Sequence, residues 1–162
     1  MIGGGTFSFT VETAPLDLMP HSVYFFMQMV KAQVWDNNVF TYSRNRIFAE
    51  PRDSKGNDKR NLFSAKGIST LSFPEYNHDY PHHKYTLGFG GKPGGPIFYI
   101  NTEDNRVIHG PGTPSQYDLG DEADPCFARV VEGYNVIDWI QSMDKVASTD
   151  KHIVIESIRT IL

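Results

Sequence analysis

Two arginines in the stretch 42–50, YSRNRIFAE, are the residues best suited to chemistry on a substrate oxygen. Arg44 and Arg46 lie just before and at the beginning of a predicted short strand, 46–49, which also carries Phe48. A guanidinium is always charged and holds several donors in a fixed plane, so in a pocket it can stabilise negative charge on an oxygen. Most arginines beside a strand are solvated surface residues. The residue types alone therefore leave both interpretations open.

A glycine-rich stretch at 88–96, GFGGKPGGP, raises the question of phosphate binding. A phosphate loop needs Ser or Thr directly after its lysine, but Pro93 follows Lys92. The dinucleotide pattern fails as well, because the next predicted element is a strand and not a helix. We therefore interpret the stretch as a tight turn, which forms either the wall of a peptide groove or a plain connector.

Three of the six histidines, His78, His82 and His83, fall with Asp79 within a short tract that could be read as a metal site. Metal binding needs ligands that converge at fixed geometry. Two histidines four residues apart converge only on a helix, and Pro81 interrupts one here. The tract therefore predicts a polar loop, and no metal site is expected.

Size and charge limit the classes of function. The chain has 162 residues, which suits one domain with a sizeable core, and a formal net charge of −4, which argues against a nucleic-acid or anionic membrane surface. The lone Cys126 excludes an internal disulfide without fixing a compartment. The abrupt start at Met1 is consistent with a domain excised from a longer protein.

Strands supply most of the elements that must position these residues. Alternation over 6–13 puts Phe7, Phe9 and Val11 on one side and predicts the first strand. Further strands are predicted at 39–42, 46–49, 85–89, 97–100, 126–131 and 152–160. Irregular loops are predicted at 50–60, 74–83 and 109–125.

Two amphipathic helices complete the inventory. One begins near Pro20 and carries apolar residues at spacings of three and four as far as Val34. The other covers Tyr134–Met143 and carries Trp139 on its apolar face. Strands and helices do not alternate regularly, so a parallel sheet is disfavoured. The pattern predicts an antiparallel barrel with helices at its ends.

Four segments in this order resemble the cyclophilins, the peptidyl-prolyl isomerase barrels. Residues 7–30 are similar to the first strand, a polar turn and a helix entered through a proline. Residues 96–101, PIFYIN, resemble the family's Gln-Phe-Phe-Ile strand, and 127–140 resemble its Phe-Gly-x-Val-x-x-Gly-x-x-Val run. The ending at 153–162 is similar to the last strand.

The resemblance spans almost the whole chain and implies the family fold. That fold is a mainly β, eight-stranded antiparallel barrel capped by two α-helices, here as a single domain over 1–162. The resemblance implies neither a cofactor nor a metal. A proline-containing peptide or protein segment is the implied partner, and the domain is expected to be a monomer.

The family's catalytic arginine has two candidate counterparts. Its strand reads Phe-His-Arg, and without gaps Phe40 takes the place of the phenylalanine and Tyr42 that of the arginine. With a two-residue deletion, Arg44 becomes the arginine instead. One sequence leaves both alignments open.

The remaining groove positions also depart from the family pattern. The resemblance puts Ile47 and Phe48 at its Phe-Met pair, Glu50 at its glutamine and Tyr99 at its second pocket phenylalanine. Strand alternation predicts that Phe98 lies in the core and Tyr99 at the groove.

Two further parts of the groove are less regular. The resemblance puts Gly90 and Gly91 near the family's Ala-Asn pair, in a shorter loop. The family's Trp-Leu pair and histidine fall in the stretch from Asn105 to His109, where there is no tryptophan and His109 matches the histidine only by a shift.

These departures together favour weak or lost isomerase activity in a domain that still binds extended, proline-containing peptides. Replacing an arginine donor by tyrosine would cost about 10²–10³ in rate. The alternative is an active peptidyl-prolyl isomerase with Arg44 as the catalytic donor. A purely structural domain of a larger protein is a third possibility.

Overall fold

A computed structural model describes residues 5–72, 75–90, 94–110, 123–143 and 153–161. These residues form seven strands and four helices. The strands are β1 (Thr10–Thr13), β2 (Asn38–Ser43), β3 (Arg46–Glu50), β4 (Thr86–Phe89), β5 (Phe98–Asn101), β6 (Cys126–Glu132) and β7 (Ile153–Ile155). The helices are α1 (Pro20–Lys31), α2 (Arg60–Ala65), α3 (Arg106–His109) and α4 (Tyr134–Met143).

All seven strands belong to one curled antiparallel sheet in the order β1-β6-β4-β5-β3-β2-β7. The prediction of a mainly β, antiparallel fold is confirmed. The strand count differs from the expected eight, because the described ranges hold seven. The first strand is also shorter than predicted: it begins at Thr10, and residues 5–9 have no strand pairing.

The two amphipathic helices form where the apolar periodicity predicts them. Helix α1 starts at Pro20, whose missing N–H is no loss in a first turn, and it buries Val23, Phe26 and Met29. Helix α4 has the predicted bounds and buries Val136, Ile137 and Ile140. None of the helices within the described ranges is long and apolar enough to cross a bilayer.

The two short helices were not predicted. Helix α2 begins at Arg60, at the end of the charged stretch 50–60, and it buries only Phe63. Helix α3 is a single turn that ends at His109. Of the long loop predicted over 109–125, residues 111–122 lie outside the described ranges.

Aromatic rings fill the space between the sheet and the helices. The Trp35 ring lies edge-on to Phe63 and Phe98, with centroids 4.8 and 5.1 Å away, and Phe26 meets Phe98 at 5.5 Å. Such pairs contribute about 0.5–1.5 kcal/mol each beyond their burial. Phe98 therefore lies in the core, as strand alternation predicts.

The hairpin of β2 and β3 fixes which residues share a face. Its strands pair Thr41 with Phe48 and Ser43 with Arg46, so only two residues, Arg44 and Asn45, make the turn. Strand β3 then pairs with β5, Arg46 opposite Asn101 and Phe48 opposite Tyr99. This register brings one arginine and two aromatic residues to the outer face of the sheet.

Candidate functional site

Alternation along β3 divides its side chains between the core and the outer face. Ile47 and Ala49 are fully buried, whereas Arg46, Phe48 and Glu50 are half-buried on the opposite face. Ile47 therefore stabilises the core and does not line a groove, contrary to the placement expected from the resemblance. Phe48 and Glu50 lie on the outer face.

Arg46 is the centre of the polar contacts on this face. Its guanidinium carbon lies 5.1 Å from the ring centroid of Phe48 and 5.4 Å from that of Tyr99. Its Nη1 lies 2.8 Å from Nε2 of His109. Stacking of a guanidinium on aromatic rings stabilises by about 0.5–2 kcal/mol, depending on how far the pair is desolvated. Two rings and one imidazole therefore hold Arg46 in a single orientation.

His109 connects Arg46 to a carboxylate. Its Nδ1 lies 2.6 Å from Oδ2 of Asp124, and the two side chains are 9% and 13% exposed. Because arginine can only donate, Nε2 of His109 must accept. The ring proton is then on Nδ1 and is donated to Asp124. The three residues form a chain in which each hydrogen bond has a defined direction.

Tyr99 lies beneath this chain with its side chain fully buried. Its hydroxyl donates to Oδ2 of Asp124 at 3.2 Å. Burial, followed by the charge of Asp124, raises the pKa of Tyr99 well above its usual value, so the phenol stays protonated. Tyr99 was expected at the groove; it lies on the outer face of the sheet, but its ring is covered and supports Arg46 from below.

His82 is the last member of this group of side chains. It is fully buried, and its Nε2 lies 2.8 Å from the backbone oxygen of Asp124, which can only accept. The ring proton is therefore on Nε2. Burial lowers the pKa of His82 to about 4, so the ring is neutral at physiological pH. We call these residues the Arg46 cluster: Arg46, Phe48, His82, Tyr99, His109 and Asp124.

A ladder of amides joins the cluster to the hairpin turn. Asn101 donates to Oγ1 of Thr86 at 3.0 Å and accepts from Nδ2 of Asn105 at 2.7 Å. Asn105, next to α3, is in turn bonded to the side chain of Asn45 in the turn. Because buried amides are costly to leave unpaired, this ladder fixes α3, and with it His109, relative to β3.

Gly88 leaves the space that the two buried rings require. A Cβ at this position would lie 2.7 Å from the Tyr99 hydroxyl and 2.9 Å from Cε1 of His82. Gly90 donates its N–H to the oxygen of Ile97 at 3.0 Å and closes the strand end. Gly91, the other expected groove glycine, lies outside the described residues.

The two candidates for the catalytic arginine lie away from this face. Arg44 is an exposed turn residue with a φ of +57°. Tyr42 is on the inner side, packed against the core, and its hydroxyl donates to the backbone oxygen of Arg44. Glu50 lies on the outer face, where it accepts a long, 3.5 Å hydrogen bond from Thr41.

Sequence reasoning named Arg46 without distinguishing it from Arg44, and it missed His82 and Asp124. Arg46 could have been selected from alternation, because it shares a face with Phe48. His82 was assigned to a polar loop, and Asp124 to the irregular loop over 109–125. The sequence around either residue gives no indication that the two side chains meet. No group of three metal-ligating side chains occurs in the described part of the chain.

Comparisons with known proteins identify the family. The model of the cyclophilin type peptidyl-prolyl cis-trans isomerases matches residues 5–160. The chain therefore belongs to this family, and the resemblance noted in the sequence is confirmed. A search of curated proteins gave no significant match.

Solved structures agree on the fold. A cyclophilin type peptidyl-prolyl cis-trans isomerase of Cryptosporidium parvum, crystallised in the presence of the dipeptide Ala-Pro, is similar with a TM-score of 0.60 and 13% identity. The similarity covers 91% of this chain and 88% of that one. A second structure of that protein gives the same TM-score and identity and covers 86% of its chain.

Proposed function

We propose that this domain binds extended, proline-containing peptides on the outer face of β3 and β5, with isomerase activity that is weak or lost. The observation that carries the proposal is the position of Arg46. It is the arginine that lies over two aromatic rings, and its guanidinium is already bonded to His109.

Peptide recognition fits the chemistry of this face. A planar cation beside Phe48 offers a donor for a backbone carbonyl next to an apolar surface for a proline ring. The Cryptosporidium parvum relative was crystallised in the presence of Ala-Pro, a dipeptide of the class proposed as ligand for this chain.

The expectation of weak isomerase activity rests on the contacts that Arg46 and Tyr99 already make. Rotation about a peptide bond crosses a barrier of roughly 18–20 kcal/mol, and catalysis must stabilise the twisted amide more than the planar one. One N–H group of Arg46 is already bonded to His109. Tyr99, whose ring lies under the guanidinium, is fully buried. A guanidinium held in this way can contact a peptide, but it has fewer free donors for the transition state.

Exchange NMR and a peptide titration test the proposal together. We expect an Ala-Pro-containing peptide to shift the resonances of Phe48 and Arg46, with isomerisation close to the uncatalysed rate. Arg46→Ala should weaken binding about tenfold, equivalent to about 1.4 kcal/mol. Arg60→Ala is the matched control, since Arg60 forms its ion pair with the exposed Asp58, in the loop before α2.

Other outcomes point elsewhere. Isomerisation that falls about 100-fold in Arg44→Ala would replace the proposal with an active isomerase in which Arg44 is the donor. The same fall in Arg46→Ala alone would make the domain an active isomerase that uses Arg46. No binding of any proline-containing peptide would contradict the proposal and leave a structural domain.

A further inference from the structure

We infer that Asp124, acting through His109, is a positioning residue for Arg46, and that the arrangement holds only while His109 is neutral. The inference rests on the proposed function, because it assigns these residues a part in peptide binding at the same face. It adds one residue, Asp124, and a dependence on protonation to the site proposed above.

The direction of each hydrogen bond carries the first step. Nη1 of Arg46 donates to Nε2 of His109 at 2.8 Å, and Nδ1 of His109 donates to Asp124 at 2.6 Å. A hydrogen bond from a cation requires Nε2 to be unprotonated. The carboxylate selects the tautomer with the proton on Nδ1, and so it makes Nε2 an acceptor. Asp124 thus acts on Arg46 without touching it.

The charges around the ring carry the second step. His109 is faced by Arg46 from β3, Tyr99 from β5, His82 from the segment before β4 and Asp124 from the segment before β6. Tyr99 and His82 are both neutral at physiological pH, because burial raises the pKa of the phenol and lowers that of the imidazole.

Helix α3 contributes one more charge, Arg106, whose guanidinium bonds to the exposed Asp104. The ring of His109 therefore lies between one cation, Arg46, and one anion, Asp124. Protonation of Nε2 would place two donors and two positive charges 2.8 Å apart, so Arg46 would have to leave His109. Peptide binding that uses Arg46 in its present position should then weaken.

Packing around the buried His109 ring also helps to maintain this arrangement. The side chain of His109 is 9% exposed, and its ring centroid lies 5.2 Å from that of Tyr99 and 5.3 Å from that of His82. Nε of Arg46 is also buried and has no hydrogen-bond partner among the described residues. The bond to His109 is therefore a main polar restraint on the guanidinium.

The test combines the ring tautomer with peptide affinity. Long-range ¹H–¹⁵N spectra of the wild type should show His109 protonated on Nδ1 at pH 7.5. Asp124→Asn can donate to Nδ1 and so admits the opposite tautomer. We expect Nε2–H to appear in this variant and the Ala-Pro-peptide affinity to fall about tenfold. Asp58→Asn is the matched control, because the ion pair of Asp58 is with the exposed Arg60.

A second variant guards against loss of folding. His109→Gln keeps a carbonyl oxygen that Arg46 can donate to and has no titratable proton. Wild-type affinity should fall in proportion to the fraction of His109 rings that NMR shows to be protonated, whereas the affinity of His109→Gln should not follow pH in this way. A merely structural ion pair would not change the pH profile of binding in this way.

Each result decides between the two claims. If wild type binds no proline-containing peptide, the proposed function fails and the positioning role fails with it. If wild type binds and Asp124→Asn binds equally well with the same pH profile, the inference alone is overturned. Finding the His109 proton on Nε2 in the wild type overturns it as well.

Discussion

Strand alternation determines which residues of β3 can meet a ligand. Ile47 and Ala49 have no exposed surface, while Arg46 and Phe48 face outward. The resemblance assigned both Ile47 and Phe48 to the groove, but neighbours on a strand point to opposite sides. Residue identity proposes the segment, and the period of two decides which of its side chains reach the outer face.

Gly88 shows how one missing side chain shapes the cluster. The Cβ of Gly88→Ala would lie within 3 Å of the Tyr99 hydroxyl and the His82 ring. Overpacking of this kind costs about 1–3 kcal/mol, because both rings are enclosed and cannot move aside cheaply. We expect urea denaturation to show a loss of that size.

Gly90→Ala provides the control for this substitution. A Cβ on Gly90 would meet only the oxygen of Ile97, at 3.8 Å. Its free energy of unfolding should therefore stay within about 0.5 kcal/mol of wild type. Equal losses in the two variants would show that the space beside Tyr99 is not what requires glycine at position 88.

At the scale of elements, local sequence signals predicted most of the structure. Helix α4 has the predicted bounds, and α1 starts at Pro20 as its apolar period indicates. Five of the seven predicted strands have bounds within one residue of those observed, whereas the first and the last are shorter than predicted. Helix α3 was missed because a single turn has no room for an apolar period.

The β2–β3 turn places a non-glycine residue in a left-handed conformation. Arg44 has a φ of +57°, which costs a residue with a Cβ roughly 1–2 kcal/mol, while glycine loses about 0.5–1 kcal/mol in backbone entropy. Arg44→Gly should therefore leave the free energy of unfolding unchanged or raise it by up to about 1 kcal/mol.

Chemical denaturation of Arg44→Gly measures this balance, with Ser43→Gly as the control in the neighbouring, extended strand position. Ser43→Gly should lower stability by about 0.5–1 kcal/mol. A loss of more than about 1 kcal/mol in Arg44→Gly would show that the Arg44 side chain makes contacts that stabilise the hairpin.

Helix α1 depends on a carboxylate that is remote in sequence. Its N-cap residue, Met19, supplies no side-chain acceptor, and Glu75 instead accepts from the backbone N–H groups of His21 and Ser22 at 3.1 and 2.7 Å. An anion at a helix N-terminus also interacts favourably with the helix dipole.

Removing this cap should weaken the whole domain, because α1 supplies much of the core. We expect Glu75→Ala to lower the free energy of unfolding by about 1–2 kcal/mol, and Glu75→Gln, which keeps one acceptor oxygen, to lose less. Thermal unfolding of both variants gives the comparison. Equal stability of wild type and Glu75→Ala would mean that water caps the helix as well as the carboxylate does.

At the scale of the whole molecule, the sheet order assembles the Arg46 cluster from distant segments. Strand β5 lies between β3 and β4, so Tyr99 meets residues that precede it by more than 50 positions and follow it by 25. The fold class could be predicted, since it depends on patterns within segments. The Arg46 cluster could not be predicted, because no sequence pattern near His82 or Asp124 indicates that the two residues are in contact.

Because His82 is buried as a neutral ring in the Arg46 cluster, the stability of the domain depends on pH. The pKa of His82 is about 4 in the folded protein and about 6.5 in an unfolded chain. Between these values the unfolded state binds the proton and the folded state does not. Stability is therefore complete above about pH 6.5 and falls as the pH drops toward about 4. The contribution lost is about 2 kcal/mol at pH 5 and about 3 kcal/mol at pH 4.

Urea denaturation of wild type and His82→Gln at pH 7.5 and pH 5.0 isolates this contribution from that of the acidic residues. The variant should be less stable at pH 7.5, because it loses the packed ring and its hydrogen bond to Asp124. At pH 5.0 the difference in stability between the two proteins should narrow by about 2 kcal/mol, because only wild type loses stability through His82.

His78→Gln, in the exposed part of the same tract, is the control and should keep the pH dependence of wild type. The difference in stability between wild type and His82→Gln could instead stay constant from pH 7.5 to 5.0. That result would mean that His82 takes up its proton in the folded state, and that water can reach the Arg46 cluster.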